Sequence, residues 1–125
     1  SYSQHMEKPT MLDTCYEIQH ELLKYLALQN IPFIVVDSKQ VLKNSERVLT
    51  KICEFSSISF SSNMLIWEKG PKIEDGIWAK YWYNNVHKST SFGNYVSNDQ
   101  KLPIHLIDIY EKCLIHYNQI LKFQT

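Results

Sequence analysis

The sequence predicts an α/β chain that is mostly helical and carries one short buried strand. Three patterns support this. From Met11 to Gln29, apolar residues recur every three or four positions at Met11, Cys15, Ile18, Leu22 and Leu26, which is the stripe of an amphipathic helix. Pro32 then introduces Phe33-Ile34-Val35-Val36, a run apolar on both faces and rich in β-branched residues, as in a strand buried within a parallel sheet. Near the end, Leu106, Tyr110, Cys113, Leu114, Tyr117 and Leu121 form a second helical stripe, with Pro103 at a position a helix tolerates in its first turn.

The intervening elements follow from local chemistry. Thr10, with Asp13 three residues on, reads as the N-cap of the first helix, and Asn30 falls where a C-cap belongs. Asp37 and Ser38 end the strand. Asn44 is the next N-cap, and Val48, Leu49, Ile52 and Cys53 give its helix an inward face that ends near Ser56-Ser57. A Ser-rich loop leads to the apolar run Met64-Leu65-Ile66-Trp67. Lys69-Gly70-Pro71-Lys72 is a charged breaker, and Trp78, Trp82 and Val86 recur every four residues, predicting a short helix from Ile77 to His87. Ser89 to Gly93 is loop. A solitary buried strand leaves its own backbone groups without partners. The expectation is therefore that neighbouring strands come from another chain or from a segment before Ser1, a first residue that itself suggests a piece of something longer.

Length and composition narrow the function classes. The chain has 125 residues, 44% of them hydrophobic and 21% charged, an ordinary globular composition at a length that allows one domain at most, with 1–125 read as a portion of one. Thirteen Lys and Arg balance thirteen Asp and Glu, with no basic stripe, so a nucleic-acid partner is not expected. No apolar stretch approaches a membrane span, and the N-terminus lacks the apolar segment of a secretory signal. Cys15, Cys53 and Cys113 are too few and too widely spaced for a disulfide framework or a zinc site, and each lies on a helical stripe as a candidate core residue. No metal is expected, and a reducing, cytoplasmic location is the simplest home for three free thiols.

Two ordered blocks carry a resemblance. One is Met64-Leu65 with Trp67, Gly70-Pro71, Asp75-Gly76, Trp78-Ala79, Trp82-Tyr83, Val86, and Ser89-Thr90 with Phe92. The other runs from Pro32 to Cys53: a valine-rich strand, an acidic residue, and a helix one short loop later. In order and spacing these resemble the C-terminal half of the P-loop sulfotransferases. The dipeptide Ser1-Tyr2 is similar to the family's Ser-Tyr pair, which follows a strand-ending Arg. Ser57 and Ser91 depart from the pattern, since the family usually has Gly at both points, where positive φ is accepted cheaply.

The resemblance implies the C-terminal part of a P-loop (NTPase-like) sulfotransferase fold. The parent would transfer a sulfuryl group from 3′-phosphoadenosine-5′-phosphosulfate (PAPS) to a hydroxyl or amine. This chain would supply part of the adenosine and 3′-phosphate site through Ser1, Val36, Asp37, Lys69, Gly70 and Lys72. The glycine-rich loop that positions the transferred group is not spelled by glycines at 70, 76 and 93, and no catalytic base matches the family's, so no catalytic residue is assigned and the chain alone is expected to be inactive. Simpler roles compete at each position. Lys69 and Lys72 also read as solvated loop residues, Asp37 as a turn residue bonding its own backbone, and Trp78, Trp82 and Tyr83 as core. His87 and Ser89 lack a visible third group for nucleophilic catalysis. The rival reading is a non-catalytic helical interaction module whose helices 11–29 and 103–122 offer an apolar face. Unpaired apolar surface further predicts self-association.

Overall fold

A computed structural model describes residues 8–97 and 101–124. The chain divides into two compact units, Ser1–Val35 with Asn98–Thr125, and Val36–Ser97.

In the first unit, Thr10 caps α1 (Met11–Thr14) with a full capping box: Asp13 accepts the Thr10 N–H at 2.7 Å, and the Thr10 hydroxyl accepts the Asp13 N–H at 3.3 Å. The expected single helix over 11–29 breaks at Cys15, whose φ of 59° is left-handed. Its N–H closes α1 on the Met11 carbonyl, and α2 (Tyr16–Leu28) starts afresh. The break turns a different face of α2 toward α6 (Ile107–Leu121), which follows a 3-10 turn over Ile104–Leu106. Tyr16 meets Tyr117 edge-on at 6.0 Å and His20 meets His116, whereas Ile18 and Leu22 of the expected stripe are exposed. Cys15 is exposed too, contrary to its expected core role, because the break carries it off the packed face. Cys113 is buried as expected, with its sulfur 3.7 Å from Met11 Sδ and 3.3 Å from the Thr14 hydroxyl.

The expected strand at 33–36 does not form, and no strand occurs among the described residues; the sole β-pairing there is an isolated antiparallel bridge between Ile66 and Ser91. The run is neither paired nor fully buried: Phe33, Ile34 and Val35 are half-buried and Val36 is exposed. The physical reason is that no backbone among the described residues lies beside it to pair with. A strand is held by its ladder, and here Phe33 instead packs edge-on against Phe123 at 5.7 Å.

In the second unit, Asp37 opens α3 (Ser38–Lys43), a helix the sequence reading took as a strand end and loop. Asn44 caps α4 (Ser45–Phe55) as expected, its side chain accepting the Arg47 N–H at 3.2 Å. Cys53 on α4 is buried, its sulfur 3.8 Å from Met64 Sδ. The expected helix over 77–87 shortens to α5 (Ala79–Trp82), followed by a 3-10 turn at Val86–Lys88. Its buried residue is Ala79, while Trp78 and Trp82 are 66% and 59% exposed, so the aromatic stripe is not core. Among the described residues no helix is long and apolar enough to cross a membrane.

The end of α4 carries a departure visible in the sequence. Ser57 sits at φ 56°, with its N–H on the Glu54 carbonyl and the Ile58 N–H on the Cys53 carbonyl at 2.8 Å. This double bond is the Schellman closure that favours Gly at the Ser57 position. Ser91, the other Gly-to-Ser departure, is not among the residues with positive φ. A left-handed residue with a Cβ costs about 1–2 kcal/mol, and Gly returns part of that gain as unfolded-state entropy. Ser57→Gly is therefore expected to raise stability by about 0.5–1 kcal/mol, read as a higher urea midpoint at unchanged slope. Ser91→Gly should bring no gain.

Candidate functional site

The Met64–Phe92 block of the sequence resemblance folds on itself in the second unit. Trp67 donates its backbone N–H to the Thr90 carbonyl at 2.9 Å, and Gly70 donates to the His87 carbonyl at 2.9 Å, so 66–70 runs antiparallel beside 87–91. Trp67 anchors the pairing: its ring stands perpendicular to Phe92 at 5.2 Å and its indole N–H donates to the Ser89 hydroxyl at 3.2 Å. Ser89 in turn donates to the Val86 carbonyl at 2.8 Å. That hydroxyl is engaged structurally and is not paired with His87.

Beyond the pairing the chain turns at Gly70, whose φ of 112° strains any other residue. Pro71 and Lys72 lead into a 3-10 turn, Ile73–Asp75. Asp75 reaches back to accept the Lys72 N–H at 2.7 Å, and the same Oδ2 contacts His87 Nε2 at 2.8 Å. An ionised carboxylate only accepts, so Nε2 carries the proton and donates. Both side chains are about one-fifth exposed, at 21% and 19%. The Lys72 N–H first, and the His87 hydrogen bond second, hold the Asp75 carboxyl below its ordinary value. Gly76, at φ 73°, then redirects the backbone into α5.

These turns enclose a cleft of about 460 Å³ lined by Pro71, Lys72, Asp75, Gly76, Ile77, Ala79, Lys80 and His87. Two lysines, Lys72 and Lys80, are among the lining residues. Lys72 Nζ pairs with Glu68 at 2.9 Å, and Lys80 Nζ lies 4.8 Å from the Tyr81 ring centre.

The sequence-predicted site residues separate. Lys72 lines the cleft, and Gly70 shapes the turn into it while its N–H is engaged by His87. Lys69 is exposed beside them. Val36 is exposed, and the Asp37 carboxylate accepts the Lys39 N–H at 3.1 Å as the cap of α3, which matches its turn-residue reading. Ser1 lies outside the described residues. The Asp75–His87 pair escaped the sequence reading, since twelve residues part the two and neither lies on a helical stripe with the other. The Asp75-Gly76 step was its one signal.

A family model described as a sulfotransferase domain matches residues 2–122. Two Arabidopsis thaliana proteins are similar: branched-chain-amino-acid aminotransferase-like protein 2, 37% identical over 93 residues, and branched-chain-amino-acid aminotransferase-like protein 1, 34% identical over 93 residues. Each match covers 74% of this chain and 17% of the relative, so the chain spans about a sixth of their length. No solved structure matches.

Proposed function

We propose, since this chain belongs to the sulfotransferase domain family, that it forms the 3′-phosphate side of a sulfuryl-donor site. The donor is PAPS, the sulfuryl donor the family generally uses. In the transfer, an acceptor hydroxyl or amine forms a bond to sulfur while the bond from sulfur to the 5′-phosphate oxygen breaks, and 3′-phosphoadenosine-5′-phosphate leaves. Such reactions rest on positioning and on positive charge around the transferred group and the nucleotide. The residues assigned here serve the nucleotide.

One observation carries the reading: the cleft gathers Lys72 and Lys80 around a turn fixed by Asp75 and His87. The Lys72–Glu68 pair is no obstacle to a phosphate. Exposed ion pairs are worth about 0–1 kcal/mol, and a phosphate offers the ammonium a charge-assisted partner of higher charge. Lys69 adds a further exposed cation on the same loop, and Gly70 gives the loop its course. Val36 and Asp37 are assigned to the proposed adenosine side, and Ser1 lies outside the described residues. The relatives' aminotransferase-like names describe proteins of which this chain matches 17%, and no transamination is assigned to it.

Calorimetric titration with 3′-phosphoadenosine-5′-phosphate tests the proposal. Binding is expected, with 5′-AMP weaker because it lacks the 3′-phosphate. Lys72→Ala should weaken the nucleotide by about tenfold, roughly 1.4 kcal/mol, and Glu68→Gln should not weaken it. Equal affinity for the two nucleotides, or an unaffected Lys72→Ala variant, would sink it. The rival reading as a helical interaction module draws support from the exposed Ile18, Leu22 and Tyr25 on α2. It expects self-association with no nucleotide binding, so the same titration separates the two.

A further inference from the structure

The first unit holds a histidine pair that the nucleotide reading leaves unused. His20 on α2 and His116 on α6 approach with Nδ1 atoms 3.2 Å apart and ring centres 5.4 Å apart. Both are half-buried. Two neutral imidazoles at this distance share one proton, one nitrogen donating and the other accepting. The rings are held by rigid elements, since each projects from a helix of more than three turns, and Tyr16 packs edge-on against Tyr117 one turn away.

The geometry points to a site for a divalent transition-metal ion bridging α2 and α6 through the two Nδ1 atoms. Metal–imidazole bonds of ~2.0–2.1 Å meeting at a tetrahedral angle place adjacent nitrogens roughly 3.3 Å apart, close to the observed spacing. Imidazole is a ligand suited to zinc, nickel and copper. Occupation needs both Nδ1 lone pairs, so the ring that carried the shared proton loses it to solvent and takes one up at Nε2. The neutral pair then binds the ion with no net change in protons. Among the described residues no group of three or more His, Cys, Asp and Glu is arranged to hold a metal, so the remaining positions fall to water. The sequence could not show this pair, because its members are 96 positions apart.

The test is titration of the full chain with zinc chloride, in parallel for wild type, His20→Gln and His116→Gln, with far-ultraviolet dichroism reporting the fold. The expected result is one zinc per chain and, in each variant, affinity lower by at least about tenfold, the loss known for removing even an outer-shell partner. Ring nitrogen resonances in the wild type provide a readout that does not depend on the variants folding. Zinc should shift the Nδ1 signals of His20 and His116 together and spare those of His87 and His105. Unchanged affinity in both folded variants, or shifts confined to other histidines, would overturn the assignment.

Discussion

Leu106→Ala is expected to lower stability by about 2–5 kcal/mol, the range for truncating a buried leucine. Leu106 is 6% exposed and sits at the joint between the 3-10 turn and α6. In the first unit, the buried apolar residues among those described are Leu106, Cys113 and Ile120. A core this small has little redundancy. Native domains are stable by only about 5–15 kcal/mol, so a loss of this size is a large fraction of the total. Urea unfolding followed by helical dichroism measures it. Ile115→Ala is the control, on the same helix but 62% exposed, and it should stay within about 0.5 kcal/mol of wild type. If the two variants unfold at the same urea concentration, Leu106 is not part of the core.

The features legible in the sequence were those fixed by a few adjacent residues. Thr10 with Asp13, Asn44, and the Ser56-Ser57 helix end all matched, because caps are short-range hydrogen-bond problems with local solutions. Cys53 and Cys113 fell on buried faces because each lies on a helical stripe, and the ordered motif from Met64 to Phe92 named a family that the match over 2–122 shows. What failed depended on partners. The run 33–36 has strand composition, yet a strand is a relation between two backbones, and none of the described residues pairs with it. On α2, periodicity gave the right element with the wrong face, since a single left-handed residue at Cys15 resets the helix's phase. Trp78 and Trp82 kept helical spacing while Ala79 took the buried place between them. At the candidate site, Lys72 and Gly70 were found from a local breaker. The Asp75–His87 contact that organises the cleft comes from folding 66–70 back against 87–91, which no local spacing records.

That contact makes the second large prediction: Asp75→Ala should open the cleft, lower the melting temperature and abolish the nucleotide preference. One carboxylate oxygen fixes both sides of the turn, accepting the Lys72 N–H at 2.7 Å and the His87 Nε2–H at 2.8 Å. Its removal frees the Lys72 backbone, so the ammonium loses its position as well as its anchor. The affinity for 3′-phosphoadenosine-5′-phosphate should therefore fall at least as far as in Lys72→Ala, about tenfold or more. The pH dependence identifies the cause. The Asp75 carboxyl lies below its ordinary 3.8 in the folded chain, so its contribution is complete above that value and is lost as pH falls through the folded one. Asp13, Glu21 and Glu68 are lowered too, so the wild-type curve alone is ambiguous. The difference between wild type and Asp75→Asn isolates the Asp75–His87 pair from the other carboxylates, because Asn keeps the shape and an acceptor but cannot titrate. Melting curves at about pH 7 and about pH 2 should show a gap between the two proteins that closes in acid. A gap of the same size at both would mean that Asp75 acts through packing alone, and the electrostatic account of the cleft would fail.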